Sequence, residues 1–347
     1  PFGPLGNLAD RVLGGRLVRR RLSQMFTARE LRLKRDMTHH SKFGDLPRRR
    51  ILVAGSSGMI GTQLVAFLDT GGHEVWRLVR RSPEEGKKEL FWDPDSGKLD
   101  DGILEGFDSI IHLGGEGIGD KRWNKKRKSA IRDSRVDSTS LLSEAIAKME
   151  KKPEVFIVAS AIGWYGDRGD EELTEDSAVG EGFLPEVCSD WEGASADLPD
   201  EVRHVYLRSG IVLSGTGGAL GKMLMPFKMG AGGPMGNGKQ WMSWISLDDE
   251  IYAIHHLLME TGSEGVYNLT APNPVRQKSF AKTLGRVLRR PAFAPLPGFV
   301  IKILFGEMGV KLTLESQKVL PNRLLDEGYE FLHPDLESAL QDTLGLW

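Results

Sequence analysis

Gly55-Ser56-Ser57-Gly58-Met59-Ile60-Gly61 follows the apolar run Ile51-Leu52-Val53-Ala54 and opens into Thr62-Gln63-Leu64-Val65-Ala66-Phe67-Leu68, whose apolar residues recur at helical spacing. This reads as a strand, a glycine turn and a helix start. So tight a junction needs turn residues that accept unusual dihedrals and let a ligand's phosphates approach the backbone, which glycine permits. The free N–H groups of Ser57, Gly58, Met59, Ile60 and Gly61 would then face a pyrophosphate. The glycine spacing alone also fits a plain tight turn; the flanking strand and helix favour a dinucleotide site. A second β-like run, Glu74 to Val79, ends at Arg80-Arg81, where such a fold meets the adenosine ribose. An acidic residue there would favour NAD. Two arginines instead offer planar, permanently charged forks to a ribose 2′-phosphate, so NADP is expected ahead of NAD. The alternative is a solvated basic strand end.

The chain has 347 residues, 40% of them hydrophobic, and a net charge of −2, which allows one large α/β domain plus a smaller one. The near-neutral balance argues against nucleic acid as the main partner. Cys188 is the single cysteine, which excludes a disulfide framework and a cysteine metal cluster and fits a reducing cytoplasm. The adjacent pairs His39-His40 and His255-His256 should point to opposite faces of any regular element, so no metal site is expected. No stretch reaches the roughly 18 apolar residues of a membrane span. The chain begins at Pro1 and is expected to start inside a longer polypeptide; its oligomeric state is not legible.

Three regions are expected: a basic helical arm over residues 1–48, a dinucleotide-binding domain over 49–271 and a helical C-terminal lobe over 272–347. In the arm, Val12, Leu17, Leu22, Met25 and Phe26 form a loose apolar stripe that should pack on something else. From Arg49 on, strands alternate with helices, which predicts a doubly wound, Rossmann-type parallel sheet with right-handed crossovers. Strands are predicted at 50–54, 74–79, 89–92, 108–113, 154–159 and 203–207, and helices at 123–149 and 184–198. Residues 215–243, glycine-rich as far as Gly238, read as a binding loop or an irregular linker.

Several blocks carry a family likeness: Trp92-Asp93-Pro94, His112-Leu113-Gly114-Gly115-Glu116, Arg122-Trp123, Ser134-Arg135, Ala161 to Asp167, Asp190-Trp191-Glu192, Arg208 to Leu213, Trp244 to Asp249, and Leu320 to Leu324 near the end. In this order, over about residues 50–345, the chain resembles the atypical short-chain dehydrogenase/reductases of the epimerase-like branch, often labelled nucleoside-diphosphate-sugar epimerases. The resemblance implies an NADP-dependent epimerase or oxidoreductase acting on a small sugar-like or carbonyl substrate. Because members have also been described as cell-division-related, a cofactor-bound sensor or interaction protein is the alternative. The first forty residues look similar to the last helix of a START-like domain that some bacterial members carry in front.

The resemblance also assigns roles. Beside the glycine turn and Arg80-Arg81, the cofactor would meet Leu113, Gly114, Gly115, Arg135 and Ser160, the last also orienting the substrate. The family's tyrosine and lysine positions fall near Val187 and Trp191, and no lysine occurs between Lys152 and Lys222. Tyr165 is the nearest substitute proton donor, with Arg135 or Lys222 to make it more acidic, although it also reads as a pocket-wall aromatic. Glu116 is a candidate acid or base, or a salt-bridge partner of Arg122. Substrate contacts are expected from Glu116, Trp164, Gly233, Gln240 and Trp241. His112 and Cys188 read as core residues, and Asp190 and Glu192 as a solvated face or ion pairs.

Overall fold

The computed structural model describes residues 4–346. Its centre is a parallel sheet of seven strands: β1 (Arg50–Ala54), β2 (Glu74–Val79), β3 (Glu89–Phe91), β4 (Ser109–His112), β5 (Val155–Ala161), β6 (Arg203–Ser209) and β7 (Gly265–Leu269). Their order is β7-β6-β5-β4-β1-β2-β3, so the connections reverse direction between β1 and β4. A crevice opens there beyond the carboxyl ends of the strands.

Strand alternation splits β1 between two cores. Ile51 and Val53 face one side with Leu64, Phe67 and Leu68 of α2 (Met59–Thr70) and Ile254 and Leu257 of α6 (Leu247–Met259). Leu52 and Ala54 face the other with Leu142 and Ile146 of α3 (Lys125–Lys148) and Trp191 of α4 (Phe183–Gly193). Residues buried on both faces are what a sheet sandwiched between helices requires.

The six predicted strands are present to within one or two residues, and the expected doubly wound sheet is observed. The seventh, β7, went unread: Gly-Val-Tyr-Asn-Leu carries a polar residue where an apolar one would signal burial, and Asn268 is nonetheless fully buried. The helix expected at 184–198 stops at Gly193. Nor is the glycine-rich segment a loop throughout. It contains α5 (Gly218–Lys228), held by Leu220, Leu224 and Phe227, one helical face that packs into a third core despite Pro226.

The C-terminal part adds α7 (Gln277–Leu288), α8 (Gly298–Thr313), α9 (Asn322–Asp326) and α10 (Leu336–Leu344). It is tied back to the sheet domain by a two-residue parallel pairing of Lys318–Val319 with Glu172–Leu173. The N-terminal helix α1 runs from Pro4 to Ser41. Its end docks, through the Asp36 carboxylate accepting from Tyr252 (2.7 Å) and through buried His39, while Leu22, Met25 and Phe26 of the expected stripe are exposed. Val12 and Leu17 of that stripe lie among side chains outside the described set. Among the described residues, no helix is long and apolar enough to cross a membrane.

Candidate functional site

The crevice is floored by the glycine turn. Gly55 has φ +79°, and a Cβ there would sit 2.6 Å from the backbone nitrogen of Gly114, so the turn after β1 and the turn after β4 touch through backbone. A Cβ on Gly61 would lie 2.3 Å from the Gly55 carbonyl oxygen, so this glycine lets α2 start directly against the turn. Gly58 caps α2 with no side-chain hydrogen bond, and Ser57 and Gly58 are exposed. The first N–H groups of a twelve-residue helix therefore open into the crevice, as an anionic phosphate needs. Above them, Gly217 and Gly218 at the start of α5 approach the Met59 sulfur, each with its Cβ position 3.5 Å away.

The two arginines after β2 differ. Arg81 is held by Glu89 in a two-pronged ion pair (2.9 and 2.7 Å) and by Glu84 (2.9 Å). That corrects the expectation of a double clasp, because Arg81's fork is already filled. Arg80 is exposed and makes no side-chain hydrogen bond or ion pair among the described residues.

Around the turn after β4, Leu113 donates its N–H to the Ala54 carbonyl (2.9 Å), and Gly115 leaves room for the Arg135 guanidinium, which would be 3.1 Å from a Cβ. Arg135 donates to the carbonyls of Glu116 (3.0 Å) and Ile131 (2.8 Å) and stacks over Trp191. Burial draws its pKa down to about 10. It shapes the loop and is not among the partners of the Tyr165 hydroxyl. Glu116 pairs with Arg127, not with Arg122. Lys222 reaches across from α5 to the Gly119 carbonyl (2.6 Å) and Asp120 (3.0 Å), so it too is not beside Tyr165.

Where β5, β6 and β7 end, one polar row crosses the sheet: Ser160 is registered with Arg208, and Arg208 with Asn268. The Ser160 hydroxyl donates to Glu192 (2.6 Å), whose two oxygens accept from Arg208 at 2.9 and 2.8 Å. Arg208 also donates to the Tyr165 oxygen (3.1 Å), and Tyr165 donates to Asn268 (2.7 Å). Tyr165 is fully buried, and burial pushes its pKa up to about 12. Its hydroxyl is thus enclosed and spoken for, which corrects its reading as a substitute proton donor. Trp164, half-buried, lies under Arg208 with the guanidinium carbon 3.8 Å from the ring centre, and its indole N–H has no partner.

Three expected substrate contacts turn out to be packing residues. A Cβ on Gly233 would meet the Ala294 oxygen at 2.1 Å. The Gln240 amide spends its hydrogens on the carbonyls of Met235 (3.1 Å) and Thr313 (2.7 Å). Trp241 donates to Asp170 (3.1 Å) and is covered by Arg276 and Lys318.

The NAD dependent epimerase/dehydratase family matches residues 51–183, and a domain of unknown function, DUF1731, matches residues 296–343. An epimerase family protein of Mycobacterium leprae is 39% identical over 84% of this chain and 94% of its own length. The chain belongs to this epimerase family. Among solved structures, human epimerase family protein SDR39U1 with NADPH has a TM-score of 0.78 at 36% identity, covering 85% of this chain and 98% of that one. A nucleoside-diphosphate sugar epimerase from Corynebacterium glutamicum has a TM-score of 0.77 at 35% identity; the match covers 93% of this chain and 64% of that chain.

Val187 and Trp191 are both buried, and the Trp191 indole donates to Thr139 (3.0 Å). His112, enclosed beside Ser138 (2.8 Å), is drawn down to about 3 by burial, and Cys188 is pushed up to about 12. Both are core residues, as expected. Asp190 and Glu192, read as a solvated face or ion pairs, are both ion-paired: Asp190 with Arg132 (2.6 Å) at the surface, and Glu192 with Arg208 (2.8 Å) in the buried row. Arg208, Asn268 and Glu175, whose carboxylate accepts the Asn268 N–H (3.1 Å), had no assigned role in the sequence. The signal was there in Tyr206-Leu207-Arg208-Ser209, a charge inside a run that must be buried, and such a charge needs a partner.

Proposed function

We propose that this chain binds NADP in the crevice and uses it for oxidoreduction or epimerisation of a small sugar-like or carbonyl substrate. The observation that carries the reading is the uncapped start of α2, opened by Gly55 and Gly61 beneath an exposed Ser57-Gly58 turn. Bound there, NADP would supply a hydride donor or acceptor at its nicotinamide. The N–H groups of Met59, Ile60 and Gly61 hold the diphosphate, and the backbone of Leu113, Gly114 and Gly115 walls the crevice. Arg80, free to turn, takes the ribose 2′-phosphate by itself. Ser160, its proton directed at Glu192, keeps lone pairs with which to accept a hydrogen bond from a substrate hydroxyl. Glu116 stands at the mouth of β4. Buried Cys188, with no disulfide partner, accords with the cytoplasm.

Calorimetry with NADPH and NADH tests the cofactor. Arg80→Ala should weaken NADPH binding roughly tenfold or more and leave NADH nearly unchanged, since a charge-assisted pair contributes about 1.5–3 kcal/mol; equal losses for both would remove Arg80 from the role. Oxidation of NADPH by a carbonyl panel, abolished in Ser160→Ala, tests turnover.

A second reading is supported by the sealed Tyr165 and by the apolar Val187 and Trp191, near which the family likeness implies the proton donor and lysine. On that basis the chain holds NADP as a sensor or interaction protein with little turnover. A broad panel that leaves NADPH unoxidised while binding stays tight would favour it over catalysis.

A further inference from the structure

Far from the crevice, at the amino ends of the strands, three histidines converge from three elements. His40 comes from the last turn of α1, His73 from the turn just before β2, and His255 from α6. Each offers one ring nitrogen, and these atoms lie within 4.8 Å of one another. Adjacent histidines do point apart, as His256 turns to Glu327 (3.3 Å), yet one member of each pair joins His73, a grouping that the expectation of no metal site did not foresee.

The nitrogens gathered here lack partners. His255 is fully buried, and neither of its ring nitrogens has a hydrogen bond; His40 Nδ1 and His73 Nε2 are buried and unpartnered too. A buried polar atom left unsatisfied is costly, and one such nitrogen from each of the three rings, gathered at one point, calls for a common partner. The site has the surroundings of a ligand set. The His40 Nε2 lies 3.1 Å from the Phe67 carbonyl; donating there fixes the tautomer that leaves a lone pair on Nδ1. The His40 ring stacks on Phe67 with centroids 4.0 Å apart, and Phe43 meets His255 edge-on at 5.2 Å. Gly71 makes room for it: its φ of −72° suits any residue, yet a Cβ would fall 2.2 Å from the His40 ring.

We propose that His40, His73 and His255 bind a borderline transition-metal dication of the zinc class, pinning the end of α1 to the sheet domain. An all-imidazole set selects such ions over calcium or magnesium, and water completes the four-coordinate shell. His73 accepts the Arg49 N–H at Nδ1 (3.1 Å), so coordination at Nε2 takes the other neutral tautomer, with the ring proton moved to Nδ1 and the contact with the Arg49 N–H given up. Arg48 and Arg49 are nearby cations that oppose the ion; Arg48 is exposed and can swing outward, Arg49 is paired with Glu154 (2.8 Å), and Asp36 on α1 assists.

The test uses the full chain without a polyhistidine tag, stripped with EDTA and titrated with Zn²⁺ by calorimetry and with Co²⁺ by visible absorption. One ion per chain is expected, with the intense d–d bands of tetrahedral Co²⁺, and the Tm should rise by about 5 °C at a hundredfold excess over Kd. His40→Phe, at a half-buried ring, and Gly71→Ala, which removes no ligand but crowds the His40 ring, should each lower affinity at least tenfold with unchanged circular dichroism. His256→Gln should bind as the parent does. Failure of the stripped chain to take up either ion, or equal uptake by His40→Phe, would overturn the site. Should His255→Phe not fold, the other two variants still decide.

Discussion

At the scale of single residues, Glu192 and Asp190 show how two carboxylates two positions apart acquire different weights. Asp190 forms an exposed pair with Arg132, whereas Glu192 is enclosed with Arg208, both less than a tenth exposed. Breaking a buried pair leaves an uncompensated charge, so Glu192→Gln should cost about 3–5 kcal/mol, while Asp190→Asn should cost about 1 kcal/mol or less. Chemical denaturation of the two variants checks the difference. Equal losses would mean that the row at the end of the sheet does not hold Arg208 as described. Tyr165 and Gln240 carry the same lesson. Each is of a residue type that serves active sites, and each is removed from that role by the partners its hydrogens find.

At the scale of elements, the junction of β1 and α2 rests on glycines with no space for a methyl group. Gly61→Ala places a carbon 2.3 Å from one backbone oxygen and 2.8 Å from the Ser56 Cα, and backbone cannot step aside as a side-chain tip can. Overpacking of this kind costs about 1–3 kcal/mol. NADPH affinity should fall more than tenfold in Gly61→Ala, as measured by calorimetry; unchanged affinity would place the diphosphate elsewhere. This junction was legible because strand, turn and helix are contiguous and each obeys its own spacing. The six strands were legible for the same reason, through runs of β-branched and leucine residues. What could not be read depended on partners distant in sequence. β7 hides behind Asn268, whose amide donates to Leu320 and accepts from Tyr165. Helix α5 hides among glycines, because its three apolar anchors matter only once α7 lies across them. The histidine cluster needs α1, the turn before β2, and α6 brought together, so no local window contains it.

At the scale of the whole molecule, His333 joins segments from both ends of the chain. Its Nδ1 lies 3.5 Å from Asp249 at the start of α6 and its Nε2 3.2 Å from Asp342 on α10, which also receives Arg35 of α1 (2.6 Å). Burial lowers the His333 pKa, but the two carboxylates outweigh it and raise it from 6.5 to about 9. The charged ring is therefore favoured in the folded state. Its contribution is full below the unfolded value of 6.5 and is lost as pH rises through about 9. The Tm difference between the parent and His333→Gln should shrink by several degrees from pH 6.5 to pH 9.5, measured by scanning calorimetry; a constant difference would refute the charge pairing. The row from Ser160 through Glu192, Arg208 and Tyr165 to Asn268 acts on the same scale, since Asn268 also grips the Leu320 carbonyl of the C-terminal lobe. Every donor in that series is matched to the next member's acceptor, and exchanging one alone would strand its neighbour away from water. Such a series changes as a block: a relative that alters one link should carry a compensating change in the adjoining strand.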